Sequence, residues 1–203
     1  MVRVKVCGVT SLRDARLCVE AGVDAIGLNF WPGTVRCCDE AVARQIVAEL
    51  KGQALFVGVF VDADAREIER LRRDTGIECV QLHGEEPPEL VARFLPHAYK
   101  ALRVRDASVL AEVARYPGDY VLLDAYVAGQ PGGTGAVFDW ELARSVARTR
   151  KLTLAGGLTA SNVAEAVRAV EPYCVDTASG VESAPGIKDQ ELVKRFVAHA
   201  KEA

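Results

Sequence analysis

Long apolar runs and clusters of basic residues are both missing from this sequence. No stretch approaches the roughly 20 apolar residues that a membrane-spanning helix needs. The formal net charge over the 203 residues is -3, and no basic run is present that would bind a nucleic acid or an anionic membrane surface. We therefore expect neither a membrane nor a nucleic acid as a partner.

Paired cysteine motifs are also missing. None of the 6 cysteines forms a CxxC pair, and the adjacent Cys37 and Cys38 suit neither a simple disulfide nor two ligands of one tetrahedral zinc site. The apolar stretch at the start of the chain is too short for a signal peptide. We expect a cytoplasmic protein with reduced thiols and no metal site.

Short apolar runs alternate with amphipathic segments along the whole chain, and this alternation predicts the fold. The predicted strands span residues 2–7, 25–30, 55–61, 79–82, 99–102, 120–123, 152–154 and 174–178. The predicted helices span residues 11–21, 39–50, 64–74, 87–94, 106–114, 139–148, 161–170 and 189–201.

Eight strand–helix pairs predict parallel strands that are joined by right-handed crossovers. They account for residues 1–203 as a single domain, and they can close into a (β/α)₈ TIM barrel, an α/β fold built on a closed eight-stranded parallel sheet. The alternative is an open doubly wound sheet. It is disfavoured because the glycine-rich segments lie late in the chain and not after the first strand.

The ends of the seventh and eighth predicted strands carry small residues. Gly156 and Gly157 follow strand seven, and Ser179 and Gly180 follow strand eight. Many TIM barrels bind phosphate at these two loops, where glycine lets backbone N–H groups approach an anion. A single glycine pair would simply indicate a tight turn, but two pairs at neighbouring strand ends favour a phosphate site.

A third glycine-rich segment, residues 129–135, follows the sixth strand. It matches neither a P-loop nor a dinucleotide fingerprint. A lid over the site and a merely flexible loop are both consistent with its composition.

Five segments match, in order, the signature of one enzyme family. They are residues 4–10 (VKVCGVT), 80–84 (VQLHG), 132–140 (GGTGAVFDW), 154–163 (LAGGLTASNV) and 175–189 (VDTASGVESAPGIKD). By these segments the chain resembles the phosphoribosylanthranilate isomerases of tryptophan biosynthesis.

The resemblance implies an Amadori rearrangement of a phosphorylated sugar–anthranilate substrate, without a metal or an organic cofactor. It makes Asp124 the general acid and Cys7 the general base. The acid must hold its proton near neutral pH, which burial favours, whereas the thiol needs stabilisation of its thiolate. Lys5 lies on the same strand face as Cys7, and we expect its ammonium group to favour the thiolate. Outside these motifs, a strand cysteine is usually inert and a lone aspartate usually forms a turn.

Further residues are expected to contact the substrate. Arg36 is the candidate for the anthranilate carboxylate, because a guanidinium group binds a carboxylate through two hydrogen bonds. Gln81 and His83 share one strand face and are expected to line the site; the alternative for either is a satisfied polar group of the core. Asp176 is a further residue of the lining.

One feature departs from the family. Thr34 and Val35 replace the usual Ser-Pro before Arg36, so the backbone that leads to Arg36 is expected to be less constrained.

The predicted barrel is shared by other phosphate-binding enzymes, among them pentose-phosphate epimerases, imidazole-pathway isomerases and indole-glycerol-phosphate synthases, and by non-catalytic binding proteins. Pentose-phosphate epimerases would need metal ligands at strand ends, where only His83 of the 3 histidines falls. Imidazole-pathway isomerases would be expected to carry an aspartate in place of Cys7. A non-catalytic binding barrel would keep the glycine pairs but would not need Cys7 together with Asp124. The resemblance also allows a homodimer, since some thermophilic members of the family are dimeric.

Overall fold

Eight parallel strands close into a barrel in the computed structural model, which describes residues 1–124 and 140–203. The strands are β1 (Arg3–Cys7), β2 (Ala25–Asn29), β3 (Leu55–Phe60), β4 (Cys79–Leu82), β5 (Ala98–Arg103), β6 (Tyr120–Asp124), β7 (Lys151–Ala155) and β8 (Cys174–Thr177). Each strand pairs with the next in sequence, and β8 pairs with β1. The predicted (β/α)₈ barrel is confirmed.

Helices connect the strands around the outside of the barrel. Within the described ranges they are α1 (Leu12–Glu20), α2 (Glu40–Leu50), α3 (Ala65–Thr75), α4 (Pro88–Phe94), α5 (Val109–Arg115), α6 (Trp140–Ala147), α7 (Val163–Val170) and α8 (Gln190–Lys201). None of them is long and apolar enough to cross a membrane.

Side-chain caps explain where several helices begin. Ser11, Asp39, Asp64 and Asp189 each accept a hydrogen bond from a backbone N–H of the first turn. The largest departure from the predicted bounds is at α5, where Asp106 was expected to open the helix. Its carboxylate instead accepts a hydrogen bond from the Ser108 amide at 2.8 Å, and this turn delays the helix.

The interior of the barrel combines small residues with a buried ion pair. Ala25, Val57, Ala101 and Ala155 belong to an apolar cluster inside the barrel, which is separate from the larger core between strands and helices. Small interior side chains leave room for the long side chains of the site.

A short hairpin follows β8 and was not predicted. Residues Ser179–Val181 form a 3₁₀ turn, after which β9 (Glu182–Ala184) pairs antiparallel with β10 (Ile187–Lys188). Strands of three and two residues are too short to give an alternating pattern in the sequence. The Thr10 hydroxyl donates to the Gly186 carbonyl at 3.0 Å, which attaches the hairpin to the loop after β1.

The glycine-rich segment at 129–135, which the sequence suggested as a lid or a flexible loop, lies outside the described residues.

Candidate active site

A cavity of about 280 Å³ opens at the carboxyl ends of the strands, where TIM barrels place their functional residues. Its lining includes every predicted site residue except Gly180, namely Cys7, Arg36, Gln81, His83, Asp124, Gly156, Gly157, Asp176 and Ser179. Residues from the first, second, fourth, sixth, seventh and eighth strand–loop units therefore face one space.

Lys5 and Asp176 form a buried ion pair beneath the cavity. Their Nζ and Oδ2 atoms are 2.7 Å apart, and the two residues are direct partners in the register of β1 and β8. The other carboxylate oxygen of Asp176, Oδ1, is buried without a hydrogen-bond partner among the described residues.

The Cys7 thiol lies beside this pair. Cys7 is two residues after Lys5 on β1, so both side chains point into the barrel. A Cβ atom at Gly27 of β2 would lie 2.8 Å from Cys7 Sγ and 3.2 Å from Lys5 Nζ. Glycine at this position therefore makes the space that the thiol and the ammonium group share.

Burial raises the pKa of the Cys7 thiol above its ordinary value. The charge of Lys5 acts in the opposite direction and favours the thiolate, whereas the charge of Asp176 raises the pKa further. Lys5 thus has the effect expected from the sequence, but burial outweighs it. Burial also opposes the charge on Lys5, yet the nearby Asp176 holds the Lys5 pKa well above its ordinary value, so Lys5 stays charged.

Asp124 lies at the end of β6 and faces His83. The distance between His83 Nε2 and Asp124 Oδ2 is 3.5 Å, and both side chains are partly exposed to the cavity. Gln81 Nε2 lies 3.1 Å from His83 Nδ1 on the other side of the ring. Gln81 and His83 therefore both line the cavity and also contact each other.

A buried lysine supports the loop that carries His83. The Lys100 ammonium group donates to the Gly84 carbonyl at 2.6 Å and to Glu86 Oε2 at 3.1 Å. Glu86 in turn accepts hydrogen bonds from the backbone amides of Asp62 and Gly84. This network fixes the backbone immediately after His83.

Arg36 is held at the cavity by Glu182, a residue whose role sequence reasoning missed. Arg36 Nε and Nη2 donate to the two Glu182 oxygens at 2.9 and 2.6 Å. Burial alone would raise the pKa of Glu182, but its hydrogen bonds with Arg36 and Lys188 lower it below its ordinary value. Gly8 has a φ of +71°, and a Cβ atom there would lie 2.7 Å from Arg36 Cδ, so only glycine leaves room for this arginine.

The role of Lys188 was also not predicted from the sequence. Its side chain connects the surrounding loops through hydrogen bonds. Its side chain is fully buried, and Nζ donates to the Cys7 carbonyl at 2.7 Å, the Ala178 carbonyl at 3.1 Å and Glu182 Oε1 at 2.7 Å. Glu182 and Lys188 both lie within the matched segment 175–189. The signal available in the sequence was that Glu182 and Lys188 are both part of the family pattern in this segment.

Thr34 compensates for the missing proline before Arg36. Its hydroxyl accepts a hydrogen bond from the Arg36 amide at 3.3 Å, and its carbonyl accepts one from the Cys37 amide at 3.1 Å. Together with Glu182, this turn constrains the path to Arg36, which the sequence had suggested would be loose.

The loops after β7 and β8 pack against each other and form the candidate phosphate corner. Gly156 and Gly157 have φ values of +99° and +66°, and no atom lies within 4 Å of a Cβ built on Gly157. Glycine is thus required at 157 by conformation and not by crowding. Gly180 does not line the cavity, because its Cα packs against Leu158, where a Cβ atom would be 2.0 Å from the carbonyl oxygen.

Asn162 holds this corner in place. Its Nδ2 donates to the Gly157 carbonyl at 3.1 Å, and its Oδ1 accepts from the Thr159 amide at 2.8 Å. Asn162 belongs to the matched segment 154–163, which explains an asparagine at that spacing from the glycine pair.

No group of three or more histidine, cysteine or acidic side chains is placed to hold a metal ion within residues 1–124 and 140–203. The fold and the site together define a (β/α)₈-barrel protein with acid–base groups, an arginine and a glycine-rich corner around one cavity.

Comparisons with known proteins identify the family. Residues 4–199 match the family model described as N-(5′-phosphoribosyl)anthranilate isomerase. The enzyme of that name from Rubrobacter xylanophilus is 46% identical, over 99% of this chain and 100% of its own length. This chain belongs to the phosphoribosylanthranilate isomerase family.

Solved structures agree with the assignment. A phosphoribosylanthranilate isomerase in complex with reduced 1-(o-carboxyphenylamino)-1-deoxyribulose 5-phosphate aligns over 100% of both chains with 37% identity and a TM-score of 0.87. Monomers generated from the dimeric enzyme of Thermotoga maritima align over 100% of both chains with 36% identity and a TM-score of 0.85.

The charges beside Cys7 predict opposite shifts of its pKa in two variants. Lys5→Met removes a positive charge and should raise the pKa of the thiol, whereas Asp176→Asn removes a negative charge and should lower it. The pH dependence of Cys7 alkylation by iodoacetamide, followed by mass spectrometry of the Cys7 peptide, measures both.

The double variant Lys5→Met/Asp176→Asn is the control, since it removes both charges and avoids an unpaired buried ion. Its midpoint should fall between those of the single variants. Equal midpoints in the two single variants, or shifts in the same direction, would contradict this electrostatic account.

Proposed function

We propose that this chain, acting as a single domain over residues 1–203, isomerises N-(5′-phosphoribosyl)anthranilate to 1-(2-carboxyphenylamino)-1-deoxyribulose 5-phosphate. The observation that carries the proposal is the shared cavity. A thiol from β1 and a carboxyl group from β6 line it together with Arg36 and the glycine-rich corner. The family assignment and the related structure with a reduced product analogue support the choice of substrate.

Asp124 is the proposed general acid. Its proton passes to the ring oxygen of the ribose as the bond between that oxygen and C1′ breaks, which gives an open-chain iminium ion and an Asp124 carboxylate. The cavity position of Asp124 at the end of β6 supports this role.

Cys7 is the proposed general base. Its thiolate removes the proton from C2′ of the iminium ion, which gives an enolamine that tautomerises to the ketone product. The ammonium group of Lys5 favours the thiolate that this step needs.

Arg36 is the proposed ligand of the anthranilate carboxylate. Glu182 engages its Nε and Nη2 atoms, which leaves the N–H groups of Nη1 to reach an anion in the cavity. Glu182 thus fixes the direction in which the guanidinium group can bind.

The remaining substrate contacts follow from the lining. Backbone N–H groups of the corner that contains Gly156, Gly157, Ser179 and Gly180 are proposed to bind the phosphate. Asp176, which lines the cavity, is proposed to contact the sugar.

Removing either acid–base group should abolish turnover. Cys7→Ala and Asp124→Ala should each lower kcat by a factor of about 10² or more, the usual contribution of a positioned acid or base. The loss of substrate fluorescence measures the rate, and Asp124→Asn provides a variant of unchanged size.

The matched thiol control is Cys37→Ala, since Cys37 is exposed and does not line the cavity. This variant should keep the wild-type rate. Full activity in the Cys7 or Asp124 variant would refute the proposed mechanism.

Loss of the Glu182 charge should weaken substrate binding. Glu182→Gln frees the Arg36 guanidinium group from its bidentate contact, so KM should rise roughly tenfold, as expected when one charge-assisted contact is lost, while kcat changes little. Steady-state kinetics in the wild-type and Arg36→Met backgrounds measure the effect.

In the Arg36→Met background the Glu182→Gln substitution should leave KM unchanged, because the contact is already absent. The same increase in both backgrounds would show that Glu182 acts on some other part of the enzyme.

We further propose that the enzyme is a cytoplasmic homodimer that binds neither nucleic acid nor membrane. The net charge of -3, the free cysteines and the dimeric relative from Thermotoga maritima support this proposal. Sedimentation equilibrium should give twice the chain mass of 21.9 kDa, and a monomer at all concentrations would contradict the dimer.

A further inference from the structure

A chain of polar contacts leads from the buried interior of the barrel to Asp124. The Tyr99 hydroxyl of β5 donates to Gln81 Oε1 of β4 at 2.9 Å, and the two residues are partners in the strand register. Gln81 Nε2 then lies 3.1 Å from His83 Nδ1, and His83 Nε2 lies 3.5 Å from Asp124 Oδ2. Four side chains, from β4, the loop that follows it, β5 and β6, are therefore connected in series.

The Tyr99 hydroxyl determines the direction of every hydrogen bond in this series. Tyr99 is buried, and burial raises its pKa well above its ordinary value, so the hydroxyl stays protonated beside the Lys5 ammonium group. A lysine ammonium group has no acceptor to offer, so the hydroxyl proton goes to Gln81 Oε1. The Gln81 amide is then oriented with its NH₂ group toward His83.

This orientation selects one tautomer, or ring form, of the neutral imidazole ring. Because Gln81 Nε2 donates, His83 Nδ1 must accept, and the ring proton is left on Nε2. Nε2–H is then the ring donor nearest Asp124 Oδ2, and a small side-chain movement would close the 3.5 Å distance between Nε2 and Oδ2 to an ordinary hydrogen bond.

The ring form decides which oxygen of Asp124 carries the acidic proton. A protonated carboxyl group has one hydroxyl and one carbonyl oxygen, and the carbonyl is the stronger acceptor, so an N–H donor at Oδ2 favours the carbonyl oxygen at that position. The acidic proton is then on Oδ1. With the ring proton on Nδ1, the unprotonated Nε2 would instead attract the acidic proton to Oδ2, where the ring and the carboxyl group would share it.

We propose that Tyr99 and Gln81 are positioning residues that hold His83 in its Nε2–H form and thereby keep the acidic proton of Asp124 on Oδ1. The proposal rests on the proposed role of Asp124 as the general acid. Neither Tyr99 nor Gln81 gives up its own proton in this arrangement. His83 orients the acid and does not transfer a proton to the substrate.

Two variants test the chain of contacts from its buried end. In the wild type, ¹⁵N NMR of the neutral His83 ring, assigned with a His83→Asn variant, should show the proton on Nε2. Tyr99→Phe removes only a hydroxyl and should give a mixture of the two forms, with kcat lowered roughly fivefold, as for one ordinary hydrogen bond, and KM unchanged.

Gln81→Glu replaces the donor that faces His83 Nδ1 by an acceptor, with nearly the same side-chain shape. A carboxylate accepts but does not donate, so the ring proton should move to Nδ1, and kcat should fall further than in Tyr99→Phe. The matched control is Tyr120→Phe, since the Tyr120 hydroxyl also makes a hydrogen bond, from Lys151 Nζ at 3.2 Å, outside this series. It should change neither the ring form nor kcat.

The two readouts separate this proposal from the proposed function. An Nδ1–H ring in the wild type, or an unchanged ring form and kcat in both test variants, would overturn the positioning role even if the isomerase is active. Inactivity of the wild type toward phosphoribosylanthranilate would instead refute the proposed function, while the NMR result would still decide the ring form.

Discussion

The buried contact between Lys5 and Asp176 is the interaction on which the rest of the site depends. It joins the first strand to the last across the closing seam of the barrel and lies directly beneath the Cys7 thiol. Loss of one partner from a buried pair costs about 3–5 kcal/mol, so neither charge is dispensable. The same pair that bridges the closing seam therefore sets the electrostatic environment of the proposed base.

At the rim of the site, a second set of buried or partly buried charges is also paired. Glu182 is shared between Arg36 and the fully buried Lys188, whose ammonium group also binds the loops after β1 and β8. Burial of each charge is offset by a partner, and the partners belong to different loops. The contacts of Glu182 and Lys188 thus join loops of separate strand–helix units into one cavity wall. The Nη1 side of Arg36 is the part of the guanidinium group that the proposed ligand would contact.

Periodicity and strand-end position were sufficient to predict the barrel and most of the cavity lining. Cys7, Gln81, His83 and Asp176 alternate with apolar residues in short runs, so their inward direction follows from strand geometry. The roles of Glu182 and Lys188 did not follow, because a hairpin too short for a periodic pattern brings them to Arg36. The direction of the pKa shift of Cys7 could not be predicted from the sequence either, because the burial of the thiol depends on packing across the whole barrel.

The most direct test of the account is a crystal structure of this chain with reduced 1-(o-carboxyphenylamino)-1-deoxyribulose 5-phosphate. We predict the phosphate on the backbone amides of the corner at Gly157 and Ser179, the carboxylate on Arg36 Nη1, and the sugar carbons between Cys7 Sγ and Asp124 Oδ1. A phosphate bound elsewhere, or a sugar that contacts only one of these two acid–base groups, would contradict the proposed site.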